Sequence, residues 1–219
     1  MRKCILFGTT CFSELIANYI SIEEEFEILC YTVNRKYYST TMFDDKPVVP
    51  FEQLENFYNM DDIGIINTVG YTNMNSIRER IYCQCKEKGY KVESYVSPNA
   101  VIYANEKDIG EGNLILPSAF VGHNIKIGNN NIIFSGVNLT HEIKIGNNNF
   151  FAAGSTIGGY VTIKNNCFLG LNSIIKNRVE LEDRTLVGAG AYISHSTEKN
   201  SVYVPPKSYK LDKYSNELI

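Results

Sequence analysis

The sequence predicts two units in series: a small α/β unit with a parallel sheet over residues 1–96, and a parallel β-solenoid of about five coils over 97–200. A tail follows over 201–219. Three observations carry this reading. An apolar residue returns at every sixth position through the second half. Strand-like apolar runs alternate with helix-spaced ones through the first half. The Ser97-Pro98 step separates the two patterns and marks the junction.

The six-residue series runs Ile109, Ile115, Val121, Ile127, Ile133, Leu139, Ile145, Phe151, Ile157, Ile163, Leu169, Ile175, Leu181, Val187 and Ile193. Glycine often follows directly, as at Gly110, Gly128, Gly146 and Gly170. A small or β-branched residue or Asn sits four positions on, as at Ala119, Val137, Ser155 and Cys167. Neither a 3.6-residue nor a two-residue period fits this register. Six residues suit a short strand and a tight corner, and three such units make one triangular turn, with the anchors stacked inside. At ~4.8 Å between neighbouring strands, the span from Ile109 to Ile193 stacks to roughly 22 Å. Residues 18 apart then lie one above another, so His123, His141 and Gly159 share a column two residues past their anchors, at an outward corner. His195 has the same phase, three turns beyond His141, on the order of 14 Å away.

In the first half, Lys3–Phe7 reads as a buried strand, followed by Gly8-Thr9-Thr10 and a helix marked by Phe12, Leu15, Ile16, Tyr19 and Ile20. A second strand is expected over Phe26–Val33, a short helix near Phe51–Tyr58 and a third strand at Ile63–Ile66. Ser76-Ile77-Arg78-Glu79 has capping-box spacing and opens a helix ending at Gly89. Val92–Val96 is expected to close this βαβαβ unit. Ligands of such sheets bind beyond the carboxyl ends of the strands. That nominates Gly8, Thr9 and Thr10, the stretch from Thr32 through Asn34 and Arg35, and Gly70 to Asn73. Ordinary strand-to-helix turns are the alternative for each, since Gly-Thr-Thr is no dinucleotide fingerprint.

Composition narrows the partners. The 219 residues are 44% hydrophobic and 21% charged with a net charge of −3, enough apolar material for a core and too acidic for nucleic acid as a bulk electrostatic partner. No apolar run approaches the roughly 18 residues of a membrane helix. The first apolar stretch ends at Ser13-Glu14, too early for a secretion signal. Six cysteines without metal-ligand spacing read as reduced thiols of a cytoplasmic protein. No metal is expected.

This six-residue pattern is the hexapeptide repeat of left-handed β-helix proteins. The whole chain, a Rossmann-like half followed by a solenoid carrying His141-Glu142, resembles the sialic acid O-acetyltransferases and the N-acetyltransferases of nucleotide-linked 4-amino-4,6-dideoxy sugars. The resemblance lies in Leu139-Thr140-His141-Glu142-Ile143-Lys144-Ile145-Gly146, Gly159-Tyr160-Val161-Thr162-Ile163 and Asn166-Cys167-Phe168-Leu169-Gly170-Leu171-Asn172-Ser173. It implies His141 as general base, with Glu142 raising its basicity. It implies acetyl-CoA against Phe150, Gly159, Leu171 and Ala189, and the acceptor sugar against Gly8 to Thr10 and Gly70. It also implies a homotrimer with sites between subunits and a place in surface glycan synthesis. The chain departs from the family at Gly8-Thr9-Thr10-Cys11-Phe12, where the family has Gly-x-Gly-Gly-His. Phe134 stands where an Asn is common, and Phe150 where some members carry a second histidine. Val204-Pro205-Pro206-Lys207 replaces a terminal Gly-x-Pro-Ala-Lys.

Acyl transfer needs a base for the acceptor's proton and donors for the developing oxyanion. A neutral imidazole suits the first task, and main-chain N–H groups near Gly159 are the expected donors. His123 is a candidate to orient the acceptor, with a structural role as its alternative. Cys167 occupies an inward slot, which argues against an acyl-cysteine. Three further readings remain at this point: O-acetylation of sialic acid or a glycan hydroxyl, a zinc hydratase, and a non-catalytic solenoid used for assembly. Zinc would need three converging imidazoles, and His195 is expected too far from the other two.

Overall fold

A computed structural model describes residues 1–212 and Tyr214. The remaining positions of the predicted tail, 213 and 215–219, lie outside the described residues. The first unit contains β1 (Arg2–Phe7), α1 (Cys11–Glu23), β2 (Phe26–Val33), β3 (Met42–Phe43), β4 (Lys46–Pro50), β5 (Ile63–Asn67), α2 (Ser76–Glu87) and β6 (Lys91–Val92). The strands order as β3-β4-β2-β1-β5-β6, parallel throughout except for the β3–β4 pair. The chain therefore runs outward from β1 on one side and then from β5 on the other, which puts the reversal of strand order between β1 and β5. The expected helix near Phe51–Tyr58 is a 3-10 turn over Phe51–Asn56.

The strand expected over Val92–Val96 divides in two. Lys91–Val92 pairs with β5 and ends the first sheet, whereas Tyr95–Val96 pairs with Leu114–Ile115 as the first strand of the coil. From there the chain winds into a left-handed parallel β-helix with three sheets, and the pairing continues to Val202–Tyr203. The predicted anchors from Ile115 to Ile193 are buried in one core along the axis, and partly buried Ile109 packs against it. Most corners carry a residue in the left-handed backbone region. One column is Asn130, Asn148, Asn166, Arg184 and Asn200, with φ near +60° at each. Asn tolerates that conformation through its short polar side chain.

The three faces differ in the residue just before each anchor, which points outward. On one face it is Lys126, Lys144, Thr162 and Glu180, a charged surface. On the second it is Leu114, Ile132, Phe150, Phe168 and Leu186, and there the first unit packs: Leu114, Ile132 and Phe150 share a cluster with Ile16, Ala17 and Ile20 of α1. On the third it is Val101, Phe120, Asn138, Thr156, Ile174 and Tyr192, an open face with large apolar side chains exposed.

Among the polar contacts that join the units, two gather several hydrogen bonds on one side chain. The Glu23 carboxylate, at the end of α1, accepts from Tyr95, Ser97 and Asn99 at the start of the coil. Arg78 of α2, fully buried, donates to the carbonyl oxygens of Asn130, Asn148 and Asn149 on successive coils.

Candidate active site

His141 ends a coil strand, in register with His123 one coil below, and both rings are exposed. The next coil has glycine at the equivalent position, and its bare Cα makes room for the ring. A Cβ at Gly159 would lie 2.4 Å from His141 Cε1 and 2.5 Å from Nε2. The corner beyond carries Asn124, Glu142, Tyr160 and Arg178, all at positive φ. Tyr160 meets the imidazole edge-on with ring centroids 5.4 Å apart, and the Arg178 guanidinium covers Tyr160 at 4.6 Å. An aromatic in the left-handed region is uncommon, costing on the order of 1–2 kcal/mol. Here it flanks the histidine that packs onto the column glycine. The Glu142 carboxylate accepts from Asn124 Nδ2 one coil below, not from the imidazole beside it.

The Gly159 N–H, expected as an oxyanion donor, is engaged: it donates to Asn177 Oδ1 at 3.1 Å. Asn177 has the same column phase and an exposed side chain. Cys167 is buried inside the prism, and burial pushes its thiol up to about 12. It lies out of reach of any ligand on the surface.

Of the four residues expected to meet the acyl donor, Phe150, Leu171 and Ala189 converge on one apolar groove of about 330 Å³, while Gly159 stands at a different corner with His141. The groove follows the edge between the covered and open faces. Tyr71, Phe134, Ala152, Ala153, Phe168 and Gly170 complete its lining, and none of its side chains is charged. Phe150 and Phe168 stack with centroids 5.4 Å apart, Phe134 joins Phe150 at 5.4 Å, and Phe12 of α1 stacks on Phe134 at 5.5 Å. Tyr71, from the loop after β5, touches both Phe150 and Phe168 at 4.9 Å. Within one chain, the open face separates this groove from the His141 corner.

The residues nominated for the acceptor lie at the carboxyl ends of the strands, but the crevice between β1 and β5 is filled. Gly8, at φ +134°, faces Ser13 Oγ and Thr68 Oγ1, both closer than 3 Å to where its Cβ would stand. Thr68 Oγ1 donates to the Phe7 carbonyl and shares a second hydrogen bond with the Ser13 hydroxyl, each at 2.8 Å. The glycine there serves internal packing. Asn34 is buried, with its amide on Gln84, while Arg35 reaches Gln53 and its backbone N–H reaches Glu52. Thr9, Thr10 and Gly70 remain at least partly accessible. Among the described residues, no cluster of three His, Cys, Asp or Glu side chains could hold a metal ion.

Tyr71 falls within the nominated Gly70 to Asn73 loop, but its place against the coil, like the roles of Phe168 and Arg78, was not legible in the motifs. The outward column Leu114, Ile132, Phe150, Phe168 and Leu186 held a usable signal, since apolar residues facing out on one side of a solenoid imply that something covers it. Arg78 gave none: an arginine in the first turn of a helix reads as surface.

A family model described as the hexapeptide repeat of succinyl-transferase matches residues 160–195. No curated protein matches the chain in sequence. Solved structures align over nearly its whole length. PerB from Caulobacter crescentus, solved in complex with CoA and GDP-perosamine, gives a TM-score of 0.80 at 17% identity, covering 92% of this chain and 93% of that one. The acetyltransferase domain of PglB from Neisseria gonorrhoeae FA1090 gives 0.79 at 18% identity, covering 92% and 96%. WeeI from Acinetobacter baumannii AYE gives 0.79 at 20%, covering 94% and 97%. At these identities the likeness is one of fold.

Proposed function

We propose that this chain transfers the acetyl group of acetyl-CoA to the amino group of a nucleotide-linked amino-deoxy sugar in the cytoplasm, for surface glycan synthesis. The observation that carries the reading is the exposed imidazole of His141 seated over Gly159 at a coil corner. The full-length likeness to PerB, which binds CoA and GDP-perosamine, and to the PglB acetyltransferase domain supports it. In this mechanism His141 removes a proton from the acceptor amine as its nitrogen attacks the thioester carbon. The new C–N bond forms, the C–S bond breaks, and the thiolate leaves with a proton. Glu142, next to His141 in the chain, stabilises the imidazolium through space. The Gly159 N–H serves the oxyanion once the exposed Asn177 carboxamide turns away.

The open face supports assembly as a homotrimer of this chain. Phe120 is 36% exposed, Ile174 47% and Tyr192 61%, on a flat surface between the His141 corner and the groove. A closed ring of copies joined there sets the His141 corner of one against the Leu171–Ala189 edge of the next. The groove, apolar and without charged side chains, suits the pantetheine arm of the donor.

The test is thiol release from acetyl-CoA across a panel of nucleotide-linked amino-deoxy sugars, the matching free sugars and their hydroxyl analogues. Release is expected with nucleotide-linked amines, and His141→Ala should reduce it by about 10²–10⁴. Equal rates in the His141→Ala chain, or no release with any acceptor, would overturn the assignment.

A further inference from the structure

The loop that carries Tyr71 into the groove is built against its own backbone preference. Asn73, Met74 and Asn75 are three successive non-glycine residues in the left-handed region, with φ of 53°, 49° and 64°. Met74 costs on the order of 1–2 kcal/mol there and the two asparagines less, and three such residues in a row leave the turn dependent on contacts that hold it. It has them. Arg78 Nη1 donates to Asn75 Oδ1 at 2.9 Å and to the Gly70 carbonyl at 3.3 Å. Asn75 is fully buried, and its Nδ2 donates to the Cys167 carbonyl of the coil at 3.0 Å. The rest of the same guanidinium grips the Asn130, Asn148 and Asn149 carbonyls.

Arg78 is an unusual choice for a mere filler. All its hydrogen-bond acceptors are neutral, and burial lowers its pKa to about 9, which leaves it charged at neutral pH. A buried charge without a carboxylate partner is costly unless every donor is satisfied. The five acceptors come from the turn and from two neighbouring coil corners, and a planar fork of donors reaches both at once. The outcome is that Tyr71, 55% exposed, is fixed against Phe150 and Phe168 at the mouth of the groove.

We propose that Tyr71 is a contact residue for the pantetheine arm of the acyl donor, and that Arg78 and Asn75 are positioning residues that hold the strained turn presenting it. This rests on the acyl-CoA reading above. The expected consequence is specific: loosening the turn weakens the donor and leaves acceptor binding and the chemical step alone.

The probe is coenzyme A titrated calorimetrically into the full chain, with KM for acetyl-CoA and for the acceptor measured beside it. Tyr71→Ala should weaken CoA by about tenfold, as truncating a well-packed aromatic contact does. Arg78→Lys keeps the charge but cannot reach five acceptors. Asn75→Gly keeps the left-handed backbone without its side-chain bonds. Both should raise the CoA Kd and the KM for acetyl-CoA several-fold, with kcat and acceptor KM unchanged. Combining Arg78→Lys with Tyr71→Ala should add nothing to Tyr71→Ala alone, because Arg78 acts through that ring. A purely structural arginine would lower Tm and leave CoA affinity at its wild-type value. That result, additive losses in the double variant, or an acceptor KM that rises with the donor's, would overturn the inference; if Arg78→Lys does not fold, Asn75→Gly carries the same test. A wild-type chain that binds no CoA removes the acyl-CoA reading itself. A wild-type chain that binds it, with folded variants indistinguishable from it, removes only the role of the turn.

Discussion

The imidazole of His141 occupies the volume that any side chain at position 159 would need, so the glycine is a requirement of the ring above all. Its φ is not in the left-handed region, and alanine can adopt the backbone there without strain. The cost of Gly159→Ala therefore falls on the contact itself, where the new methyl would stand 2.4 Å from Cε1. The ring is exposed and can swing away, so the fold should survive with Tm close to wild type. The base, however, would lose its seat between Gly159 and Tyr160. Misplacing a catalytic group by about 1 Å can cost 10²-fold. We expect Gly159→Ala to lower kcat by about 10² while circular dichroism and Tm stay put. Equal kcat would show that the ring does not act from this seat. The neighbouring strain belongs to the same logic: an aromatic at φ 61° is kept at Tyr160, where other corners use Asn, Gly, Ser, Glu or Arg.

Between elements, the clasp at Glu23 sets how firmly α1 meets the coil. Burial alone would raise the pKa of this carboxyl, but hydrogen bonds from Ser97, Tyr95 and Asn99 outweigh it and hold the group below its ordinary value. Its contribution is then fully present above the usual carboxylate range and is lost as pH falls through the depressed value of the folded state. Glu23→Gln should lower Tm at pH 7 by about 2–4 °C, and the gap from wild type should close towards pH 3. A gap independent of pH would mean that charge plays no part. The same region shows where sequence reading ran out. The six-step rhythm is unbroken from Ile109 to Ile193, and every anchor after Ile109 is buried. Before that, the coil pairs at a separation of 19, as in Phe120 with Val101, because an extra residue loops out around Glu106–Asp108. After it, Leu186 pairs with Val202, only 16 residues on. Both slips break the period without breaking the winding, so the end coils were hidden. Position by phase was legible for His141 and Gly159, since burial and exposure follow the repeat. Which backbone groups are already taken was not: Asn177 on Gly159 and Thr68 beside Gly8 are contacts between coils or strands that no local pattern encodes.

At the scale of the molecule, the three faces of the prism have three fates. One is charged, one is covered by the first unit, and one is left apolar and open between the imidazole and the groove. If copies of the chain close on the open face, the site exists only between them. Ile174→Asp places a charge in the middle of that face without touching the His141 corner or the groove lining. The variant should sediment as a single 24.8 kDa chain where the wild type sediments as three, and activity should be lost with the assembly. Complementation separates shared sites from mere loss of stability. A His141→Ala chain retains a sound groove, and a Leu171→Trp chain, with its groove filled, retains a sound base. Each alone should be nearly inactive. Unfolded, mixed in equal amounts and reassembled, they should recover about a quarter of wild-type activity, because a site drawing its halves from neighbouring copies finds both intact one time in four. A base and groove belonging to one chain would give no recovery at any ratio, and that outcome would require the donor to reach His141 across the face of its own prism.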